Sequence, residues 1–169
     1  AALIDEVDLD ELKYEPFVPG LPAALRGEGG ILSAIRSGDI LLHHPYQSFD
    51  PVVEFIRCAA SDPDVVSIKQ TVYRTGVNSV LMEALVEAAR CGKEVTVVVE
   101  LMARFDEETN INWAGRLEQA GAQVVYGVFG LKTHAKLALL LRRETDRSGR
   151  VRLVPYAHLG TGNYHPRTT

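Results

Sequence analysis

Val95-Thr96-Val97-Val98-Val99-Glu100-Leu101 carries the strongest structural signal in this chain. Apolar, mostly β-branched residues occupy both parities of the run, the pattern of a strand covered on both faces rather than one alternating between core and water. Val65 to Val72 is a second β-branched run. Between the two, Asn78 reads as the N-cap of a helix whose stripe is Leu81, Ala84, Leu85, Ala88 and Ala89 and which stops at Gly92. Beyond them, Asp106, Glu107 and Glu108 load the first turn of another helix, where acids suit the positive end of the dipole, and its stripe runs through Ile111, Ala114 and Leu117 to Gly121. Strand, helix, strand, helix predicts an α/β fold with a parallel sheet and right-handed crossovers. Arg74 and Arg104 then fall just past the carboxyl ends of two strands, where ligand sites of open α/β sheets gather, so both can face one crevice.

Working outward, Asp50-Pro51 reads as an N-cap and first-turn proline, with Val52, Val53, Ile56, Ala59 and Ala60 at helical spacing over about 51–60. His43 and His44 precede Pro45 at what reads as a strand end, a place for histidines that hold a turn. After Val124 to Tyr126 the rhythm changes. Leu137 to Arg143 and Val151 to His158, separated by the polar Glu144 to Arg150, predict a hairpin. Residues 1–30, acidic and then rich in Pro and Gly (Pro16, Pro19, Pro22 and four glycines by Gly30), read as an extended lead-in to an α/β domain over 31–169. The start without Met and the stop just after Pro166 read as the ends of an excised fragment.

The 169 residues suffice for one domain with a substantial core, and 46% hydrophobic content without an apolar run near twenty excludes a membrane-spanning helix. The net charge of −4 is uneven. Six acids against one Lys in residues 1–15 account for the whole excess, whereas seven Lys or Arg against Glu144 and Asp146 fall between Leu131 and Arg152. That positive stretch predicts a field able to draw a polyanion, or else a solvated hairpin loop of Arg142, Arg143, Arg147 and Arg150. Cys58 and Cys91, far apart and near helix ends, suggest no metal spacing or disulfide, and read as small buried or half-buried thiols of a reducing compartment.

The chemistry concentrates in Thr133-His134-Ala135-Lys136 and Gly160-Thr161-Gly162-Asn163. If the run Lys132 to Arg143 is a strand, His134 and Lys136 leave one face roughly 6.6 Å apart. An imidazole near its ordinary pKa of about 6.5 is a nucleophile for phosphorus. An ammonium two residues on clamps non-bridging oxygens, and a Gly-rich turn offers backbone N–H groups, a hydroxyl and a carboxamide to phosphate. Trp113 and Tyr73 are either core residues or stacking surfaces for a base, and His158 alternates with Tyr156 behind the site.

This pair of motifs resembles the phospholipase D superfamily signature, departing from it at Leu141, where an acidic residue is usual five positions after the lysine. Longer blocks resemble the polyphosphate kinase family: Ile40-Leu41-Leu42-His43-His44-Pro45-Tyr46, Ile68-Lys69-Gln70-Thr71-Val72-Tyr73-Arg74, Val99 through Glu108, Tyr126 through Lys136, and His158 through Tyr164. The resemblance implies a phospholipase D-like α/β fold, a mixed sheet flanked by helices forming one half of a two-half catalytic core. It also implies reversible transfer of the terminal phosphate of ATP to inorganic polyphosphate through a phosphohistidine. His134 matches the phosphorylated histidine, with Lys136 beside it. Arg74, Arg104, Thr161 and Asn163 become phosphate-binding residues, and Mg²⁺ arrives on nucleotide phosphates, since protonated guanidinium cannot ligate a metal. The implied partners are ATP or ADP, polyphosphate, the remaining domains of the same chain and further copies of a full-length homo-oligomer, with no nucleic acid. The implied location is the cytoplasm, with at most a peripheral membrane association. One His-x-Lys without an internal repeat predicts a fragment folded but catalytically weak. The competing readings are a phospholipase D-type phosphodiesterase or nuclease, disfavoured by Leu141, and a non-catalytic polyanion-binding module using the basic hairpin.

Overall fold

The computed structural model describes Leu9, Glu11 and residues 13–127 and 130–165. A five-stranded mixed sheet organises them: β1 (Val65–Val72), β2 (Glu94–Val99), β3 (Gln123–Tyr126), β4 (Lys136–Thr145) and β5 (Val151–Gly160), in spatial order β3-β2-β1-β4-β5. β1, β2 and β3 are mutually parallel, whereas β4 runs antiparallel to both β1 and β5. Among the described residues four α-helices accompany the sheet: α1 (Gly30–Ser37), α2 (Asp50–Ser61), α3 (Val80–Arg90) and α4 (Glu107–Gln119). The phospholipase D-like α/β architecture and the β4–β5 hairpin are as the sequence leads one to expect.

Two crossovers, β1-α3-β2 and β2-α4-β3, step in the same direction along the sheet. Right-handed crossovers of that kind put both helices on one face. α2 packs on α3, and together they bury Val52, Phe55, Ile56, Leu81, Leu85 and Val86 against Ile68, Val72, Val97, Val99 and Leu140. At roughly 1.5–3 kcal/mol for each fully buried large aliphatic or aromatic side chain, this face supplies most of the core's stabilisation. The opposite face carries no helix among the described residues. The Val-rich run of β2 is therefore covered on one side only here: Val95, Val97 and Val99 are buried, while Thr96 and Val98 are half-exposed.

Helix starts differ from expectation in instructive ways. Asp50 is the first residue of α2 rather than its cap; the Ser48 hydroxyl accepts the Asp50 N–H and donates to its carboxylate. The cap of α3 is Ser79, whose Oγ accepts from Met82 N at 3.3 Å, so Asn78 lies one residue outside. In α4 Ile111 is exposed and Asn110 buried, because Asn110 is recruited as a hydrogen-bond donor below the site. No strand forms at 40–44. His44 Nδ1 instead meets Gln47 O at 2.9 Å in a turn around the cis His44–Pro45 bond. The lead-in is not wholly extended: Ala23–Leu25 forms a 3₁₀ turn and Gly20 bridges Gln47. Cys58 is half-buried, its thiol pushed up by burial and by Asp62 and Glu54, but Cys91 is exposed, because the helix end it caps faces solvent.

The β4–β5 pairing also relocates charge. Their turn, Asp146–Arg150, lies at the opposite end of ten-residue strands from Lys136 and Gly160, about 30 Å away at the usual strand rise. Arg142 is spent on Asp62 and Asp64, and Arg152 on Asp146. The basic hairpin therefore does not surround the proposed site, and its charge does not supply the positive field expected there.

Candidate active site

The topology gathers four chain segments at one end of the sheet. Arg74 follows β1 and Arg104 follows β2. His134 precedes β4, which enters from that end because it is antiparallel, and Gly160 to Asn163 leave β5 there. His134 is not a strand residue as expected; β4 begins at Lys136, and His134 sits in the approach to it, exposed. The two side chains still converge, by a different route. Lys136 is buried and its Nζ turns back to donate to the His134 carbonyl at 2.7 Å.

Tyr73 is the centre of the cluster. The His134 ring stands edge-on to it at 4.9 Å between centroids, Lys136 Nζ lies 5.1 Å from the ring centre, and the Arg74 guanidinium 5.7 Å from it. The π-face attracts both cations electrostatically and holds them beside the imidazole without neutralising either. Burial draws the Lys136 ammonium below the ordinary lysine range. Across the strand pair Lys136 faces Gly160, where a Cβ would come 3.1 Å from His158 Cε1 and 3.7 Å from Lys136 Cβ, so the glycine lets these groups lie close.

Arg74 donates from Nη2 to the Arg104 carbonyl at 2.7 Å, and its Nε stands 3.0 Å from Asp106 Oδ2, an ion-pair separation without hydrogen-bond alignment. That fork ties the loops after β1 and β2 together. Among the described residues the Arg104 guanidinium pairs with no acid; it lies 5.1 Å from the Phe105 ring, with Phe105 at φ 74°, a conformation costly for a bulky residue and found where a site fixes its backbone. Thr161 and Asn163 line a separate cavity of about 540 Å³ with His43, His44, His158 and Tyr164; His134, Lys136 and both arginines stand outside its wall. The two parts join through the Lys136–Gly160 pairing. His158 Nδ1 meets Tyr164 Oη at 2.9 Å, and burial, with a smaller contribution from nearby His44, lowers its pKa to about 4, so it is neutral near pH 7. Trp113 is core, its Nε1 donating to Gly76 O, and so is no stacking surface.

The supporting residues were not visible in the sequence as such. Glu100 is 5% exposed, and its carboxylate accepts Met102 N at 2.9 Å and Thr133 N at 2.8 Å, fixing the residue before His134. Thr71 Oγ1 donates to Ala135 O at 2.6 Å and accepts Leu137 N at 3.0 Å, fixing the residues after it. Asn110 Nδ2 donates to the carbonyls of Tyr73 and Glu100. The available signal was a lone acid ending an all-Val run and an Asn in a helix stripe. Among the described residues no group of three or more His, Cys, Asp or Glu is placed to hold a metal, and no helix is long and apolar enough to cross a membrane.

Residues 30–169 match the family model described as polyphosphate kinase C-terminal domain 1. Over 164 residues, 97% of this chain, the sequence is 62% identical to a polyphosphate kinase of Burkholderia vietnamiensis, and over 166 residues 59% identical to one of Paraburkholderia phytofirmans. It spans 24% of the length of each of these relatives. The crystal structure of polyphosphate kinase from Porphyromonas gingivalis superposes on 89% of the chain with a TM-score of 0.71 at 41% identity, using 25% of that structure. The sheet, with its chemistry-bearing blocks gathered at one end, and these agreements lead to one conclusion: the chain belongs to the polyphosphate kinase family, as its C-terminal domain 1.

Proposed function

We propose that this chain is the phosphohistidine-forming part of a polyphosphate kinase that moves the terminal phosphate of ATP onto inorganic polyphosphate, reversibly. The observation that carries the reading is the exposed His134 imidazole beside a buried Lys136 ammonium and the Arg74 guanidinium, all around Tyr73 at the carboxyl end of the parallel strands. A ring nitrogen of His134 attacks the terminal phosphorus, the bond from phosphorus to the bridging oxygen breaks, and ADP leaves. A terminal oxygen of polyphosphate then attacks the phosphohistidine, the P–N bond breaks, and the imidazole is restored.

Lys136 and Arg74, the two cations beside the imidazole, suit the non-bridging charge, and Arg104 adds a guanidinium that pairs with no acid among the described residues. Thr161 and Asn163, across the Gly160 turn, suit the anionic chain that donates or accepts. Mg²⁺ would be carried by the nucleotide phosphates, whose oxygens suit it as ligands, while Lys136, Arg74 and Arg104 would meet the remaining phosphate charge. The remaining domains complete the site, because one histidine cannot serve both the attacking and leaving oxygens.

The test is labelling with γ-labelled ATP in a chimera in which this sequence replaces the matched 164 residues of the Burkholderia vietnamiensis enzyme. Acid-labile, base-stable label lost in His134→Ala and kept in His165→Ala supports the reading. Label that survives His134→Ala, or cleavage of a phosphodiester without any label, overturns it.

A further inference from the structure

We infer that Tyr73 is a catalytic residue of the phosphohistidine step: the π-face of its ring stabilises the positive charge that the His134 imidazole takes on as nitrogen bonds to phosphorus. This role rests on His134 being the nucleophile, as proposed above. A neutral imidazole that attacks through one ring nitrogen keeps its proton on the other. When the P–N bond forms and the bond from phosphorus to the bridging oxygen breaks, the electron pair leaves with ADP, and the N-phosphorylated ring is cationic until that proton passes to solvent. His134 is exposed, so solvent can take it.

Reacting histidines commonly meet this charge with a carboxylate on the second nitrogen. Here, among the described residues, neither nitrogen of the His134 ring makes a hydrogen bond and no acid pairs with it. The ring stands edge-on to Tyr73 instead, 4.9 Å between centroids with 79° between planes. In such a contact the electropositive rim of one ring meets the π-face of the other. That face attracts a cation more strongly than a neutral ring, so the contact tightens as charge develops, which is what lowers a barrier rather than only binding substrate. The neighbours make such a group necessary. Lys136 Nζ and the Arg74 guanidinium lie 5.1 and 5.7 Å from the centre of the same ring. Both suit phosphate oxygens, and both repel an imidazole turning cationic beside them. A carboxylate in place of the ring would pair with these cations and draw them from the phosphates, whereas a neutral quadrupole leaves them charged. The backbone fixes the pair of rings. Buried Asn110 donates to Tyr73 O at 3.0 Å, and Thr71, two residues before Tyr73, donates at 2.6 Å to the carbonyl of Ala135, next to His134. The Tyr73 hydroxyl makes no hydrogen bond among the described residues, so the ring is the part held to the site.

The test is rapid-quench measurement of the first turnover of labelling by γ-labelled ATP in the chimera described above. It compares the unsubstituted chimera with Tyr73→Phe, Tyr73→Leu and a series in which nonsense suppression places mono-, di- or trifluorinated phenylalanine at position 73. Fluorine drains the π-face with little change of shape. Lys136 and Arg74 are charged before and during the step, so their hold on the ring appears in the ATP concentration giving half the maximal rate. Charge on the imidazole appears only in the transition state, and so in the rate at saturating ATP. Tyr73→Phe should keep the saturating rate within about threefold, trifluorination should lower it about tenfold in steps, and Tyr73→Leu should lower it about thirtyfold. Should Tyr73→Leu misfold, the near-isosteric fluorine series carries the test. Equal saturating rates across that series, Tyr73→Phe as slow as Tyr73→Leu, or an effect confined to the half-saturating ATP concentration overturns the inference and leaves His134 as the labelled residue. No label on the unsubstituted chimera overturns the phosphohistidine reading and this inference with it.

Discussion

Glu100→Gln tests how the His134 segment is held. The carboxylate is 5% exposed and each oxygen accepts one backbone N–H, from Met102 at 2.9 Å and Thr133 at 2.8 Å. A carboxamide of the same shape keeps one acceptor and turns the other oxygen into a donor facing a donor. A hydrogen bond to a charged acceptor contributes about 1.5–3 kcal/mol, and the stranded N–H adds a desolvation cost of similar sign. The expected loss is about 2–3 kcal/mol, roughly a 30- to 150-fold shift in the unfolding equilibrium. Urea unfolding should show a lower midpoint with an unchanged slope. Because Thr133 precedes His134, the yield of phosphohistidine in the chimera should fall at denaturant-free, fully folded conditions too. A change below about 0.5 kcal/mol, within the range of an ordinary surface substitution, would refute the claim that this carboxylate clamps both loops.

Three further outcomes are expected. Gly76→Ala should cost about 1–2 kcal/mol in thermal or urea unfolding, since Gly76 has φ +74° and a Cβ there would come 2.8 Å from the His165 ring. His158 is held neutral by burial, its folded pKa of about 4 below the unfolded 6.5; its contribution is intact above 6.5 and is lost as pH falls from 6.5 towards 4, on the order of 3 kcal/mol in total, so His158→Gln should flatten stability in that window. Arg74→Lys keeps the charge but cannot reach both the Arg104 carbonyl and Asp106; label yield should drop at least tenfold while the unfolding midpoint moves little.

Much of the frame was legible because it rests on periodicity. β1 was found at its observed bounds, and the α2, α3 and β4–β5 elements within a residue or two, since apolar spacing there reports one buried face. The caps were misplaced at Asp50 and Asn78: Phe49 takes the cap position of α2, with Ser48 accepting the Asp50 N–H from outside the helix, and Ser79, next to Asn78 and an equally good acceptor, caps α3. His134 was expected on the strand, but Thr71 and Glu100, 64 and 33 positions from the residues they bond, pull the chain into an approach loop instead. Spacing cannot reveal such partners. It also could not show that the hairpin carries its arginines to the far end of the sheet, nor that Tyr73, an ordinary strand-end aromatic, centres the three candidate groups.

Mapping the phosphorylated residue in the chimera by mass spectrometry at neutral pH after brief exposure to ATP is the most direct test. Phosphate on a ring nitrogen of His134, absent in Lys136→Met, is the predicted result; phosphate on another histidine with His134 unmodified would contradict it.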